Sequence, residues 1–334
     1  RPGDAAEVAR RLRTLEARRA ERDAERRARR EAEETRRSLE RAHRRRRLSA
    51  AIAAAAVVVL AVVSLLAWQA VEAREDAERR RAQAEGLIEF MVDDLREKLE
   101  PLGRLDVLDE VGERALQYFA AVPEESLSEA ELSRRAKALR QIGEVRVSQG
   151  QLGEAMPAFE RALGLSQRLV DQQPDRIEWL KGLGDSRYWI GFVFYRQGRW
   201  EDALRQFEEY QATARKLVEI EPDEPEWRLE LSYAHGNIAS VLQAQGRIEQ
   251  ALVPLEANVA LRRELAAARP QDQHLQLDLA RAHNKVGAVL HQLGRSREAL
   301  EHHLAELRLK QGLVALAPDN TRWVLELALA HNYC

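Results

Sequence analysis

A 48-residue repeat is the feature that most restricts how this 334-residue chain can fold. Four segments read VRVSQGQLGEA, VFYRQGRWEDA, VLQAQGRIEQA and VLHQLGRSREA, and in each the Gly is followed five residues later by an Ala. Self-similarity at one such period is typical of solenoids, in which each unit packs on its neighbours. The most regular columns are Gly150, Gly198, Gly246 and Gly294; Ala155, Ala203, Ala251 and Ala299; and Pro174, Pro222, Pro270 and Pro318.

Each unit is predicted to form a hairpin of two helices. The first helix ends at the Gly, which allows a left-handed turn conformation, and the second begins two residues later. Pro stops the second helix because it has no backbone N–H to donate. A column of small residues, together with the Ala column, lets the two helices cross closely: Gly143, Gly191, Ala239 and Gly287. The predicted array occupies residues 128–334, with repeats at about 128–174, 175–222, 223–270 and 271–318 and a truncated repeat at 319–334.

The composition indicates an all-α fold. Charged residues make up 32% of the chain and aromatic residues only 5%, and the helix formers Ala, Leu, Arg and Glu dominate. A β-sandwich would need more β-branched and aromatic residues, so this class is excluded. The single cysteine, Cys334, excludes an internal disulfide.

The repeat resembles the tetratricopeptide repeat (TPR), a shorter helical hairpin. In the second repeat Gly191, Gly198, Trp200, Ala203 and Phe207 match the family's small, turn and aromatic positions. The resemblance implies a TPR-like α-solenoid. The first repeat matches through Gly143, Gly150, Leu152, Ala155, Phe159 and Ala162, whereas Leu255 and His303 replace the aromatic residue in later repeats.

The period is longer than that of the TPR family, and the extra length has a location. The intervals Ala155–Pro174 and Pro174–Gly191 are each seven residues longer than the family pattern. Seven residues are nearly two helical turns, so the apolar face of each lengthened helix keeps its direction. The hairpins can therefore still stack, with longer helices. A HEAT-type repeat, whose period is closer to the one seen here, is the alternative. The seven-residue spacing between glycines and the Ala five residues later favour the TPR.

An uncharged stretch lies before the array. Residues 48–71 carry no charge, and the run from Leu48 to Trp68 is apolar throughout. At about 1.5 Å per residue this run spans about 30 Å, the thickness of the hydrocarbon core of a bilayer. Trp68 suits the membrane interface. A buried core helix and a cleaved signal peptide are the alternatives, and both are typically shorter. A single transmembrane helix is therefore predicted at 48–71.

The charges beside this stretch predict its orientation. Arg44–Arg47 precede it directly, whereas the segment after it mixes four Arg with five acidic residues. The positive-inside rule places residues 1–47 in the cytoplasm and residues 72–334 outside it, although Arg79–Arg81 weaken the contrast. The predicted location is the inner (cytoplasmic) membrane, crossed once, with the array outside the cytoplasm, which means the periplasm if the source is a Gram-negative bacterium.

Residues 1–47 are predicted to form a basic cytoplasmic linker helix. They hold 18 Arg and 10 acidic residues, within a chain whose net charge is −2. Acid-to-Arg pairs at i,i+4, such as Glu33–Arg37, support an exposed helix. A thin apolar stripe along this helix makes a coiled-coil stem the alternative, in which residues 8–47 of two chains would form a homodimer. Nucleic-acid binding is not predicted, because the interspersed acids repel phosphate.

Residues 72–127 are predicted to contain juxtamembrane helices and an N-terminal cap. One helix continues out of the membrane, turns at Pro101–Gly103, and is followed by a second helix from Leu105 to about Val122 that covers the end of the array. Ser128 and Glu131 have the spacing of a capping box at the start of the first repeat.

The sequence carries no motif for catalysis, so this chain is predicted not to be an enzyme, with no catalytic residue, cofactor or metal. Gly182-x-Gly184 lacks the third Gly and the preceding strand of a dinucleotide-binding loop. A cysteine-ligated zinc site is excluded by the single Cys. His235, His283 and His331 recur at the period of the repeat and are interpreted as packing residues, whereas His291, His302 and His303 leave open a metal site as the alternative to exposed polar surface.

In TPR-like arrays the first helix of each hairpin lines a concave wall that binds proteins or peptides. The second repeat places Asp185 and Arg196 there, together with Tyr188, Phe192 and Tyr195, whose i, i+4, i+7 spacing puts them along one stripe. Packing of this stripe against a neighbouring helix is the alternative interpretation. In the other repeats the wall is polar and is formed by Arg140, Glu144, Tyr233, Gln243, Arg281, Asn284 and His291.

The layout is similar to that of bacterial membrane proteins in which a cytoplasmic effector module precedes one span and a TPR array. The stretch AEGLIEFMVDDLREKLEPLGRLDVLDEVG carries this similarity, and a start at Arg1 predicts that the sequence is part of a longer protein. The resemblance implies the protein-binding region of a signalling or sensor protein. The alternatives are an envelope or secretion assembly scaffold, and the regulatory region of a Ser/Thr kinase or other effector enzyme whose catalytic domain lies before Arg1.

Overall fold

The protein was analysed as a computed structural model, which describes the backbone of residues 2–99 and 107–331. Side chains are described from residue 22 onward, except at 23, 28, 32, 89–99, 107, 109 and 126. Every regular element in this part of the chain is a helix, so the all-α prediction is confirmed. The predicted turn at Pro101–Gly103 and the end of the truncated repeat lie outside the described residues. The chain divides into two compact units, Arg1–Arg79 and Arg80–Cys334.

Eleven α-helices and one short 3₁₀ helix form the described structure. The 3₁₀ helix, Glu124–Ser126, lies between the second and third α-helices. The α-helices are α1 Pro2–Leu99, α2 Val107–Ala121, α3 Glu129–Ser148, α4 Leu152–Gln172, α5 Ile177–Arg196, α6 Trp200–Ile220, α7 Pro225–Ala244, α8 Leu252–Ala268, α9 Gln273–Gln292, α10 Ser296–Leu316 and α11 Thr321–His331.

The 48-residue period of the sequence recurs in the backbone. The first helix of successive hairpins begins at Glu129, Ile177, Pro225, Gln273 and Thr321. Each of the four column glycines follows such a helix with φ between 73 and 80°, as predicted for a left-handed turn that only Gly adopts without strain. Each of the four column prolines is the first residue of the turn that follows a second helix.

The third repeat departs from the pattern. The helices α4, α6 and α10 begin two residues after the column Gly, but α8 begins only at Leu252, so the predicted start is wrong in this repeat. A proline alone does not explain the difference, because Pro157 lies inside α4, which begins at the usual position. Before Leu252 the chain forms a tighter turn, in which the Ala251 N–H donates to the Ile248 carbonyl at 3.2 Å.

The small residues let the two helices of each hairpin cross closely. A Cβ added to Gly143 would lie 2.5 Å from Phe159, and one added to Gly287 would lie 2.6 Å from His303. In the third repeat Ala239 occupies the same column of small residues and is completely buried. Fully burying a ring such as that of Phe159 contributes roughly 1.5–3 kcal/mol, so close crossing is strongly favoured.

From α3 onward the helices contact mainly those next to them in the chain, as in a solenoid. Among the first helices, α3 and α5 also contact each other directly. We define the first-helix face as the surface formed by α3, α5, α7 and α9. This surface corresponds to the predicted concave wall.

The predicted N-terminal cap packs on the first repeat. Phe119 of α2 is completely buried in the same apolar cluster as Leu139 and Ile142 of α3. The capping box is present: the Ser128 N–H donates to the Glu131 carboxylate at 2.8 Å, and the Glu131 N–H donates to Ser128 Oγ at 3.4 Å. These contacts hold the start of α3 in place.

Within α1, the segment Ala24–Ile88 is long and apolar enough to cross a membrane. Its most apolar window of 18 residues has a mean hydropathy of 2.8, and none of that window is buried in the described structure. A core helix would be mostly buried, so this alternative does not fit. Farther toward the N-terminus, Glu33 and Arg37 form the predicted i,i+4 pair at 3.8 Å on an exposed surface.

Candidate functional site

Two of the cavities on the first-helix face adjoin each other at α7. The larger, about 400 Å³, is named here the acidic aromatic pocket, and the smaller, about 200 Å³, the basic pocket. Tyr233 and Asn237 of α7 line both cavities. The acidic aromatic pocket is completed by Glu144, Asp185, Tyr188, Trp189, Tyr210 and Glu230, and the basic pocket by Gly236, Asn258, Arg262, Asp278, Arg281, Ala282 and Lys285.

Aromatic rings form much of the wall of the acidic aromatic pocket. The Tyr188 ring lies 5.2 Å from the Trp189 ring and 5.9 Å from the Tyr210 ring, measured between centroids. Gly184 lies opposite Tyr210, and a Cβ there would be in van der Waals contact with the Tyr210 ring at 3.4 Å. The rings therefore form a packed and pre-organised surface.

Three carboxylates, from α3, α5 and α7, complete this pocket. The Asp185 carboxylate lies 3.2 Å from the Arg140 guanidinium, and the Tyr210 hydroxyl donates a hydrogen bond to Glu230. Burial raises the pKa of Asp185 against the opposing effect of Arg140. Burial is also the main cause that raises the pKa of Glu230, and the nearby Asp185 charge adds to it. The raised pKa values mean that these negative charges are poorly solvated.

The basic pocket has the opposite character. Arg262 bonds Asp278 at 2.8 Å, and its guanidinium lies 5.1 Å above the centroid of the Tyr233 ring. Arg281 forms an ion pair with Glu326 at 2.7 Å. Burial and the neighbouring Arg262 charge lower the pKa of Lys285. The first-helix face thus changes from negative to positive potential across Tyr233.

The structure brings together some of the predicted partner-binding residues. Those that line the acidic aromatic pocket are Glu144, Asp185, Tyr188 and Tyr233, and Arg281 lines the basic pocket beside Tyr233. The other predicted residues of the polar wall line neither pocket. They are Arg140, which bonds Asp185; Gln243, which is half-buried; Asn284, which donates a hydrogen bond to Glu306 at 2.8 Å; and His291, which is exposed.

The predicted aromatic stripe divides between pocket lining and packing. Phe192 lies 6.2 Å from Tyr188 and is half-buried, with the Arg196 guanidinium 5.7 Å from its centroid. Tyr195 packs against Trp200 at the start of α6, 5.5 Å between centroids. Only Tyr188 of the stripe therefore faces the acidic aromatic pocket.

Sequence reasoning missed four residues of this pocket: Trp189, Tyr210, Glu230 and Asn237. Tyr210 belongs to a second helix, and Glu230 lies near the start of α7, where the hairpins are longer than the family pattern. A TPR-based alignment assigns no wall position to such extensions. The sequence holds one signal for Tyr210, its helical spacing: it follows Phe207 by three residues and so lies on the same side of α6.

A histidine pair lies between α9 and α10. The Nδ1 atoms of His283 and His302 are 3.0 Å apart, and His303 Nδ1 lies 3.4 Å from Glu306. Lys310 bonds the same Glu306 at 2.7 Å. In the described part of the chain no group of three His, Cys, Asp or Glu is placed to hold a metal ion. The open metal site at His291, His302 and His303 is therefore not formed, because His291 is exposed and is not part of this cluster.

Comparison with known proteins supports the TPR resemblance. Residues 136–168, within the first hairpin, match the family model of the tetratricopeptide repeat. The crystal structure of the apo form of RapI is 14% identical, with a TM-score of 0.52 over 78% of this chain and 66% of that one. TPR-like repeats of a variant protein assigned as a kinesin light chain of Podosopora anserina are 15% identical, with a TM-score of 0.50 over 65% and 92%. No curated protein sequence matches. The shared feature is the fold, a TPR-like α-solenoid.

Proposed function

We propose that this chain is the membrane-anchored, protein-binding region of a bacterial signalling or sensor protein. Its partner is a protein or peptide that binds on the first-helix face of the array. The observation that carries the proposal is the pair of adjoining pockets of opposite charge on that face, because aromatic rings and desolvated charges are typical of binding hot spots.

The membrane anchor is proposed at residues 48–71, with residues 1–47 in the cytoplasm and the array outside it. The exposed apolar window in α1 and the Arg cluster before it support this orientation. Single cysteines at Ser38 and Glu208, each introduced into a Cys334→Ser background, test it with a membrane-impermeant maleimide on intact spheroplasts. The expected result is labelling at 208 and not at 38; the reverse pattern would refute the orientation.

A contact within the second unit supports signalling over a passive scaffold. Glu85, on α1 after the predicted span, is buried against α3, where its carboxylate lies 3.3 Å from Arg134 and 3.9 Å from Arg135. A shift in the first repeat upon partner binding would therefore act on the helix that leads to the membrane. Burial raises the pKa of Glu85 against the opposing effect of Arg134, so this carboxylate is poorly solvated where it meets α3.

Crosslinking separates the signalling and scaffold hypotheses. Cysteines placed singly along residues 8–47, in the Cys334→Ser background, would report pairing of the cytoplasmic helices in cells. Signalling predicts that the crosslink yield changes when Tyr233→Ala disrupts the first-helix face, and not when Val253→Ala alters an exposed position on α8. An unchanged yield at every position would favour a scaffold for envelope or secretion assembly. An effector enzyme before Arg1, such as a Ser/Thr kinase, would give the same crosslink response together with a changed activity.

A further inference from the structure

We propose that the acidic aromatic pocket holds an arginine side chain of the partner protein. The inference rests on the proposed function and specifies the chemistry of the partner. The juxtaposition that carries it is one cavity with three carboxylates from three helices and four aromatic side chains, two of them on α5.

The charge of the cavity selects a cation. Glu144, Asp185 and Glu230 line it, and no cationic side chain of the described residues does. Arg140, beside the cavity, bonds Asp185 at 3.2 Å and offsets one of the three negative charges. Lys181, next along the face, bonds Glu226, and its charge also acts on Asp185 and Glu230, so two cations face four carboxylates here. A net negative potential therefore remains in a partly desolvated cavity, where an ion pair is stronger than at an open surface.

The aromatic wall selects a planar cation over a compact one. A guanidinium stacks on aromatic rings and donates several hydrogen bonds in one plane, whereas an ammonium is a strongly hydrated point charge. The structure contains the same interaction nearby: the Arg262 guanidinium lies 5.1 Å from the centroid of Tyr233, on the basic-pocket side. Arginine from a partner would bring a second guanidinium to this part of the first-helix face.

The pocket is suited to a side chain more than to a metal ion or a free anion. The three carboxylates do not converge into a metal-binding group in the described residues. They repel a phosphate or a carboxylate. A volume of about 400 Å³ exceeds what one guanidinium group needs, and leaves room for the aliphatic stem and adjoining backbone of a peptide.

A peptide selection tests the proposal. The full chain, reconstituted in nanodiscs, would be presented to a phage library of random dodecapeptides, and the selected peptides synthesised with blocked ends. Each arginine would then be replaced by citrulline, which keeps the shape and removes the charge. The expected result is enrichment of arginine over the library, and a loss of affinity of about tenfold or more for citrulline at one position.

Variants of the protein locate the effect. Glu230→Gln and Glu144→Gln should each reduce the affinity for the arginine peptide several-fold while leaving the citrulline peptide unchanged. Glu208→Gln, an exposed carboxylate on α6 outside the pocket, is the matched control and should change neither. The citrulline comparison uses unaltered protein, so it stays decisive if a variant fails to fold.

Each outcome has a distinct meaning. Selected peptides that bind the first-helix face without arginine enrichment, or with no response to citrulline and Glu230→Gln, would overturn the inference and leave the proposed function intact. An absence of any selected peptide would contradict both. Agmatine, an isolated guanidinium, should compete only at a concentration far above that of the peptide. Agmatine binding as tight as the peptide would assign the pocket to a small cation and overturn the role of a partner protein.

Discussion

The ring of Phe207 occupies the space that a side chain on Gly191 would fill: a Cβ on Gly191 would lie 2.8 Å from Phe207 Cε1. Real Cβ atoms do not approach a ring so closely, so the crossing of α5 and α6 depends on the missing side chain. Gly191→Ala should therefore destabilise the array by about 1–3 kcal/mol through overpacking. Urea unfolding of the full chain in detergent, followed by tryptophan fluorescence, measures this change.

The control for Gly191→Ala is Gly164→Ala. Gly164 is an exposed residue in the interior of α4, and a Cβ there would meet nothing within 4 Å. Alanine favours the helix over glycine by about 1 kcal/mol, so this variant should be neutral or more stable. Equal destabilisation by the two substitutions would contradict the close crossing.

The turn at Gly246 should reject a side chain for a different reason. Its φ is +73°, and a Cβ there would have open space, so only backbone strain opposes substitution. Gly246→Ala should lower stability by about 1–2 kcal/mol, and Gly246→Asn by less, because Asn tolerates the left-handed conformation. Gly312→Ala, within α10 and equally uncrowded, should not lower stability. A melting temperature unchanged by Gly246→Ala would show that the turn is not left-handed.

The histidine pair of α9 and α10 predicts a loss of stability in mild acid. Burial first, and then the charges of His302 and Arg263, lower the pKa of His283 to about 4, with Glu306 acting in the opposite direction. The unfolded value is about 6.5, so the neutral pair stabilises the fold above pH 6.5 and this contribution is lost as the pH falls toward 4.

Between pH 7 and pH 5 the wild-type chain should therefore lose on the order of 1 kcal/mol more stability than His283→Gln. Unfolding in urea at both pH values measures the difference. Parallel pH dependence in the two proteins would mean that His283 is not buried as a neutral group.

The buried guanidinium of Arg135 should contribute far more than an exposed one. It donates hydrogen bonds to the carbonyl groups of Phe119 and Val122 at 3.2 and 3.1 Å, and it lies 3.9 Å from the buried Glu85. Arg135→Ala would leave that carboxylate with less compensation, at a cost of roughly 3 kcal/mol.

The matched control for Arg135→Ala is Arg114→Ala. Arg114 pairs with Glu110 at 2.6 Å, but both side chains are 75% exposed, and such pairs contribute about 0–1 kcal/mol. Thermal unfolding followed by circular dichroism would compare the two variants. A similar effect of both would argue against the burial of α1 residues on the first repeat.

The repeat could be predicted from sequence because the residues that end each helix act through their own backbone. Gly198 needs a positive φ, and Pro222 cannot continue a helix, so each residue reveals its own backbone position. The late start of α8 does not follow from the repeat, because the third repeat has the same column Gly and Ala as the others.

The pocket was only partly predictable, because its residues meet through tertiary packing. Asp185 and Tyr233 follow from TPR-like wall positions, but Tyr210 enters from a second helix and Glu230 from an earlier turn of α7. Their proximity depends on the extra turns in each helix and on how α5, α6 and α7 pack against one another. No spacing along the sequence contains that information.

The most direct test of partner binding is site-specific photo-crosslinking in cells that carry the full chain. Benzoylphenylalanine would replace Tyr233, which is 41% exposed on the first-helix face, or Val253, which is 72% exposed on α8. Partner binding on the first-helix face predicts a discrete crosslinked protein at 233 that is absent at 253 and weakened by Glu230→Gln. Equal crosslinking at both positions, or a strong product at 253 alone, would contradict it.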